Sequence, residues 1–158
     1  MDLLKSSEIG KMLITFVVSM LPVIELRGAI PVGVAMGLHP VISAAVSVVG
    51  NLVPIPFIII FIRRIFAWMR NKSKKLGSIV QRLEDKALAK GDALYKGEVI
   101  GLMIFVAIPL PGTGAWTGAL IAAILGIRMK AALPAIAAGV VIAGILVLGI
   151  TYGFTKIF

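Results

Sequence analysis

Val23-Ile24-Glu25-Leu26-Arg27-Gly28-Ala29-Ile30-Pro31-Val32-Gly33 places a carboxylate and a guanidinium in the middle of an otherwise apolar run from Met12 to Leu38. Charged groups at membrane depth cost roughly 2.5–3.5 kcal/mol each by insertion scales, and persist where they pair, meet water or handle a substrate. A second stretch, Pro109-Leu110-Pro111-Gly112-Thr113-Gly114-Ala115-Trp116-Thr117-Gly118-Ala119, interrupts a second apolar run in a matching place. The two read as facing broken segments that build one polar site inside a bilayer.

The composition agrees. The 158 residues are 59% hydrophobic, against roughly 45–50% in soluble domains. An integral membrane protein is expected, in one membrane domain covering 1–158 with no separate soluble unit. The chain has no cysteine, which excludes thiol catalysis and disulfides. The single His39 has no carboxylate or second histidine beside it, so no metal site is expected. The net charge of +9 is concentrated in one loop between apolar blocks. That distribution points to anionic lipid headgroups and the cytoplasmic face rather than to nucleic acid. Lys5 and Lys11 precede an apolar stretch, but no small-x-small cleavage site follows, so removal of a signal peptide is not expected.

Outward from the opening stretch, the order of blocks is regular. Residues 1–10 read as a short polar tail. Met12 to Ile24 spans roughly 20 Å as a helix and Ala29 to Leu38 about 15 Å, each too short for a core of about 30 Å. Two short arms around a Gly/Pro-containing polar tip describe a re-entrant hairpin, allowed only where protein or water covers its irregular backbone. Val41 to Ile62 is long enough to cross, with Asn51, Pro54 and Pro56 inside it predicting a kink. Arg63 to Glu98 is basic, with Leu76, Ile79, Val80, Leu83 and Ala87 at helical spacing, and reads either as an amphipathic helix on the cytoplasmic surface or as a solvated linker that only fixes topology. Val99–Ile108 and Ala119–Ile127 flank the second tip, Arg128 and Lys130 mark a turn, and Ala131 to Phe154 forms a second crossing. The fold class is therefore all-α integral membrane. It is an inverted repeat of re-entrant hairpin plus transmembrane helix, with repeat 1 over about 11–62, a basic linker over about 63–98 and repeat 2 over about 99–156.

Parity makes this specific. A hairpin returns to its own side, so one full crossing separates the two copies and inverts them. Arg128 and Lys130 then fall on the same side as the basic linker, as the positive-inside rule requires. A straight span over 99–127 would put them outside.

Glu25 and Arg27 are two apart, so on a helix they do not share a face; in a non-helical tip they could converge. Arg27 has the planar fork that suits phosphate oxygens, and Glu25 would carry a proton or hold Arg27. The alternative is a neutralised pair that only ties the hairpin to its twin. Gly28 and Pro31 shape the first tip. Pro111, Gly112 and Gly114 free the second, where Thr113 and Thr117 add hydroxyls and a following half-helix offers unpaired N–H groups to an anion. Asn51 would hydrogen-bond a hairpin tip or another helix. Gly33/Gly37, Gly114/Gly118 and Gly149/Gly153 permit close helix approach. Trp68 and Trp116 read as anchors or packing.

The Glu25–Pro31 and Pro109–Gly118 motifs together resemble the small multidrug export protein family, a distant relative of the DedA-like membrane proteins. The resemblance covers essentially the whole chain. It implies paired re-entrant hairpins in inverted repeat, and the DedA-like relatives are linked to proton-coupled transport and to recycling of polyprenyl-phosphate lipid carriers. It matches the family's first-hairpin acid to Glu25. The relatives carry an arginine just before the second hairpin's Pro-Gly turn, where this chain has Ile108; Arg27 would supply that charge from the other hairpin.

The expected function is a secondary transporter or flippase of an amphipathic anion, foremost a polyprenyl-phosphate carrier lipid, in the plasma membrane and coupled to protons. Export of cationic or hydrophobic compounds, with Glu25 as ligand, is the second reading. A lipid-binding scaffold acting through the basic linker is the third. Neither an enzyme nor a cofactor is expected, since no nucleophile–base pair, metal-binding helix motif or P-loop is present. One pair of crossings is small for a closed pathway, which points to a homodimer.

Overall fold

A computed structural model describes residues 7–91, 97–110 and 112–157, without the side chains of 87–91, 98 and 154–157. Pro111, the first six residues of the expected tail, and Asp92 and Lys96 of the linker lie outside the described residues. Among the described residues all regular structure is helical. Eight helices follow in order: α1 (Glu8–Ser19), α2 (Glu25–Ala35), α3 (Pro40–Leu52), α4 (Pro54–Lys72), α5 (Lys74–Gly91), α6 (Glu98–Ala107), α7 (Ala115–Ile124) and α8 (Met129–Ile157).

Their ends follow local chemistry. Ser7 caps α1 by accepting the Gly10 N–H at 3.0 Å, with Glu8 in the first turn where the helix dipole favours an acid. The helix stops before Pro22, whose ring cannot extend it. Gly37, at φ +86°, closes α2, and the Leu38 N–H returns to the Gly33 carbonyl at 3.0 Å. Val53 keeps helical dihedrals between α3 and α4, so Pro40–Lys72 runs as one 33-residue apolar rod. Pro54 and Pro56 bring no N–H to the carbonyls of Gly50 and Leu52, which interrupts the ladder there. Among the described residues, Pro40–Lys72 and Met129–Gly153 are the two helices long and apolar enough to cross a membrane.

The short helices double back. A Cβ on Gly33 of α2 would lie 2.8 Å from Thr15 Oγ1 of α1, and one on Gly37 would lie 3.4 Å from Lys11 Nζ. The end of α2 thus returns to the start of α1. In the second unit Gly118 of α7 faces Val106 and Leu102 of α6. Beyond α7, the Ile127 carbonyl accepts from Arg63 on α4, and Gly126 lines one cavity with Arg70 and Glu84. The end of α7 is therefore back beside the basic α4–α5 segment.

Packing joins the units crosswise. α1 packs on α2 and α3, α6 on α8, α2 also on α8, and α7 on α4. The common core holds Leu26, Ile30, Ile55, Ile59, Leu102, Val106, Ile136 and Val140. Between α6 and α8 small residues set the distance, as in membrane helix pairs. A Cβ on Gly139 would lie 2.6 Å from the Met103 carbonyl oxygen and 2.7 Å from Val106 Cβ. Gly139→Ala is therefore expected to destabilise by about 1–3 kcal/mol, read as a lowered thermal midpoint in detergent.

Several boundaries differ from the sequence reading. Glu25 and Arg27 lie in the first turn of α2 rather than in a non-helical tip, because the chain turns earlier, over Met20–Ile24. Pro31 sits inside α2, and Trp116, Thr117 and Gly118 belong to α7. Arg63–Lys72 continues α4, since nothing in that basic stretch breaks a helix before Ser73. The linker helix is the shorter α5, which packs against α4 through buried Val80 and the Arg70–Glu84 ion pair. Lys130 lies in the first turn of α8. Gly149 and Gly153 face no neighbour within 4 Å, unlike Gly33 and Gly118.

Candidate functional site

The first polar loop delivers two charges to the second. Glu25 opens α2 with φ +49°, a left-handed conformation that costs an L-residue roughly 1–2 kcal/mol. The residue is buried, 5% exposed. Oε1 accepts the Trp116 N–H at 3.1 Å, in the first turn of α7, where backbone donors have no intrahelical partner. Gly114, the residue before α7, has φ +141°, and a Cβ there would lie 2.2 Å from Glu25 Oε2. The absent side chain is the space the carboxylate occupies. The Trp116 indole N–H donates back to the Met20 carbonyl at 3.2 Å.

Arg27 reaches the other side of the same loop. Its Nη1 donates to the Leu110 carbonyl. Its Nη2 donates to the Ile108 carbonyl at 2.9 Å and to Thr113 Oγ1 at 3.0 Å. The Thr113 hydroxyl lies 2.7 Å and 2.8 Å from the same two carbonyls, to which it can donate. These carbonyls follow the end of α6. They also accept the backbone N–H groups of Leu110 and Thr113, at 2.9 Å and 3.2 Å.

The spacing of the two charges now has a physical reason. Two residues apart on a helical turn, Glu25 and Arg27 diverge. The acid goes to the positive end of α7 and the guanidinium to the negative end of α6. One dipeptide spacing caps both half-helices of the other unit. The chemistry is that of an anion site whose oxygens are supplied by the protein itself.

Beside this contact lies a cleft of about 710 Å³, lined by Glu25, Arg27, Gly28, Gly112, Thr113 and Thr117 together with Pro22–Ile24, Pro109 and Leu110. Of the residues singled out from the sequence, Gly114 stands behind the Glu25 carboxylate. Pro31 faces away from the cleft and is exposed. Asn51 is fully buried on α3, with no hydrogen-bond partner for either amide atom among the described residues. Trp116 also lines a separate apolar groove of about 550 Å³ on α4, with Phe57, Phe61 and, at one end, Arg64. The sequence reading named the N–H groups that open the second half-helix, of which Trp116 N–H is one, and missed the backbone oxygens of Ile108 and Leu110.

A family model described as "Putative small multi-drug export protein" matches residues 25–146, which begins at Glu25 and takes in both polar loops. No curated protein and no solved structure matches the chain.

Proposed function

This chain belongs to the small multidrug export family, and on that premise we propose that it is a proton-coupled secondary transporter or flippase of an amphipathic anion, foremost a polyprenyl-phosphate carrier lipid. The family description is of export, and the two long apolar helices place the chain in a membrane. The observation that carries the finer reading is the occupation of the α7 N-terminus by the Glu25 carboxylate.

A helix N-terminus at membrane depth attracts an anion. Here an internal anion holds it. A proton delivered to Glu25 removes that charge and weakens its bond to the Trp116 N–H. The freed donors then take a phosphate oxygen of the substrate. Arg27, released from the α6 carbonyls, offers its fork to the remaining oxygens. Loss of the proton restores the internal cap and expels the headgroup. The groove bounded by Phe57, Phe61 and Trp116 would carry the apolar tail, since Trp116 and Thr117 join it to the cleft. The protein moves its substrate without making or breaking a bond in it, so it is not an enzyme in this reading.

The architecture we propose is the inverted pair of re-entrant hairpins. α1, α2, α6 and α7 have 10–12 residues, about 15–18 Å each, too short to cross. Lys11 and Gly37 mark the mouth of one hairpin. Ile127 beside Arg63 marks that of the other, at the far end of the α3–α4 rod. The basic α4–α5 segment would be cytoplasmic in the plasma membrane, and a homodimer would complete the pathway.

In reconstituted vesicles, Glu25→Gln is expected to reduce proton-driven translocation at least about tenfold and to flatten its dependence on pH, because the amide cannot cycle between charged and neutral forms. Wild-type rates with an unchanged pH profile would refute the mechanism. A second reading is export of cationic or hydrophobic compounds with Glu25 as their ligand. It is favoured by Arg27 being held by three protein oxygens. Resistance that depends on Glu25 but not on Arg27 would select it.

A further inference from the structure

A second set of polar groups is buried inside the first unit. Thr15 and Ser19 on α1, and Ser43, Ser47 and Asn51 on α3, are all 0% exposed. The three on α3 are four residues apart and share one face. Glycines make room for the set. A Cβ on Gly33 would lie 2.2 Å from Ser43 Oγ, and one on Gly50 would lie 2.1 Å from Ser19 Oγ.

Three of the five groups are satisfied. Thr15 donates to the Lys11 carbonyl at 2.8 Å, Ser19 to that of Phe16 at 2.7 Å and Ser43 to that of Ile30 at 2.9 Å. Ser47 Oγ and both amide atoms of Asn51 have no partner among the described residues. Buried polar groups without a protein partner call for a resident ligand. The set's position indicates its role. α2 and α3 are joined by the short turn at Met36–His39 and run antiparallel, with Ser43 against Ile30. Each further turn of α3 therefore faces an earlier turn of α2. Ser47 and Asn51 climb toward Glu25.

We propose that Ser47 and Asn51 hold water, and that this water is the proton route between Glu25 and the membrane face on which α1 begins. Asn51 supplies two donors and an acceptor, Ser47 one hydroxyl, and the engaged hydroxyls of Ser19 and Ser43 keep free lone pairs. That is enough to hold a water with the two to four polar partners it requires. Each hydroxyl or water passes one proton on and receives another, so the file ends chemically unchanged and one proton moves from the mouth to the Glu25 carboxylate. The route rests on the proton-coupled reading above; the water site does not. On the elements packed around Glu25, the other charged or titratable groups are Arg27 beside it, Glu8 and Lys11 at the start of α1, His39 at the start of α3, and Lys130, Tyr152 and Lys156 toward the two ends of α8. α7 and the loop before it carry none.

The absence of native cysteine allows a clean test. Ser47→Cys and Asn51→Cys are compared with Ala29→Cys and Ala122→Cys, whose positions are equally buried but apolar. The probe is a small water-soluble methanethiosulfonate, which reacts with the thiolate and so requires water at the thiol. Labelling of both polar positions at least about tenfold faster than the controls is expected. Labelling no faster than the controls would overturn the water site. For the route, Asn51→Leu is expected to abolish proton uptake into vesicles while keeping or raising the thermal midpoint. Unchanged uptake would overturn it, as would a collapsed midpoint, which would mean that the amide has a protein partner. Wild-type vesicles that move no protons would remove the coupling reading and the route with it, and leave the water site to the labelling result.

Discussion

Arg27→Ala is expected to lower stability by about 3 kcal/mol and translocation by at least about a hundredfold. Hydrogen bonds to a charged group contribute about 1.5–3 kcal/mol each. The substitution removes three donations, to the Ile108 and Leu110 carbonyls and to Thr113 Oγ1, and leaves those carbonyls the backbone N–H groups of Leu110 and Thr113 at 2.9 Å and 3.2 Å. Arg27→Lys separates charge from shape. A lysine keeps the charge but cannot present a rigid fork to three oxygens. It is expected to recover little of either loss, as read by thermal unfolding in detergent and by vesicle transport. A lysine variant equal to wild type would mean that the site needs only a positive charge near α6.

Gly114→Ala should be comparably severe, by another route. The new Cβ would lie 2.2 Å from Glu25 Oε2 and 2.8 Å from Glu25 Cδ, at φ +141°. No rotamer of an alanine can relieve that, so Glu25 must leave the α7 N-terminus. A loss of transport of at least about a hundredfold is expected, with destabilisation of about 3 kcal/mol from backbone strain and the lost cap together. Gly126→Ala is the control for strain alone, because φ there is +68° and its Cβ would meet nothing within 4 Å. It should cost about 1 kcal/mol and leave transport intact. Combining Gly114→Ala with Glu25→Ala removes the clash. The double variant should regain part of the thermal midpoint and none of the proton dependence.

Much of this arrangement was legible in the residues. The apolar runs were too short to cross, and their polar interruptions stood in matching places. The charges at Arg128 and Lys130 required the second unit to turn back, and the Arg63 contact with Ile127 lies where that turn leads. Glu25 and Arg27 stood out because charge in such a run is costly. Their carbonyl partners did not stand out, because a backbone carbonyl leaves no mark in the sequence. That the partners lie 81–91 positions away was beyond any local pattern. Helix ends were misjudged for the same reason. Polarity does not stop a helix, so α4 runs on through Arg63–Lys72 and α2 begins at Glu25. Asn51 was noticed as polar, but its lack of a partner depends on the packing of neighbouring helices.

The contact between the loops is also a reason for the first unit to be strained. Glu25 accepts a left-handed backbone so that its carboxylate reaches α7, and a residue held this way is poised to move when its partner changes. In the proposed mechanism, strain and burial at Glu25 would serve a coupling element.

Everything depends on two short helical hairpins entering the membrane from opposite faces and touching at their tips. Single cysteines at His39, Ser78 and Arg128, each exposed, report this directly when a membrane-impermeant maleimide is applied to sealed vesicles of known orientation. Ser78→Cys and Arg128→Cys should react from one face and His39→Cys from the other. Reaction of Ser78→Cys and Arg128→Cys from opposite faces would show that 98–127 crosses the membrane, and the meeting of the two loops at Glu25 and Arg27 would be lost with it.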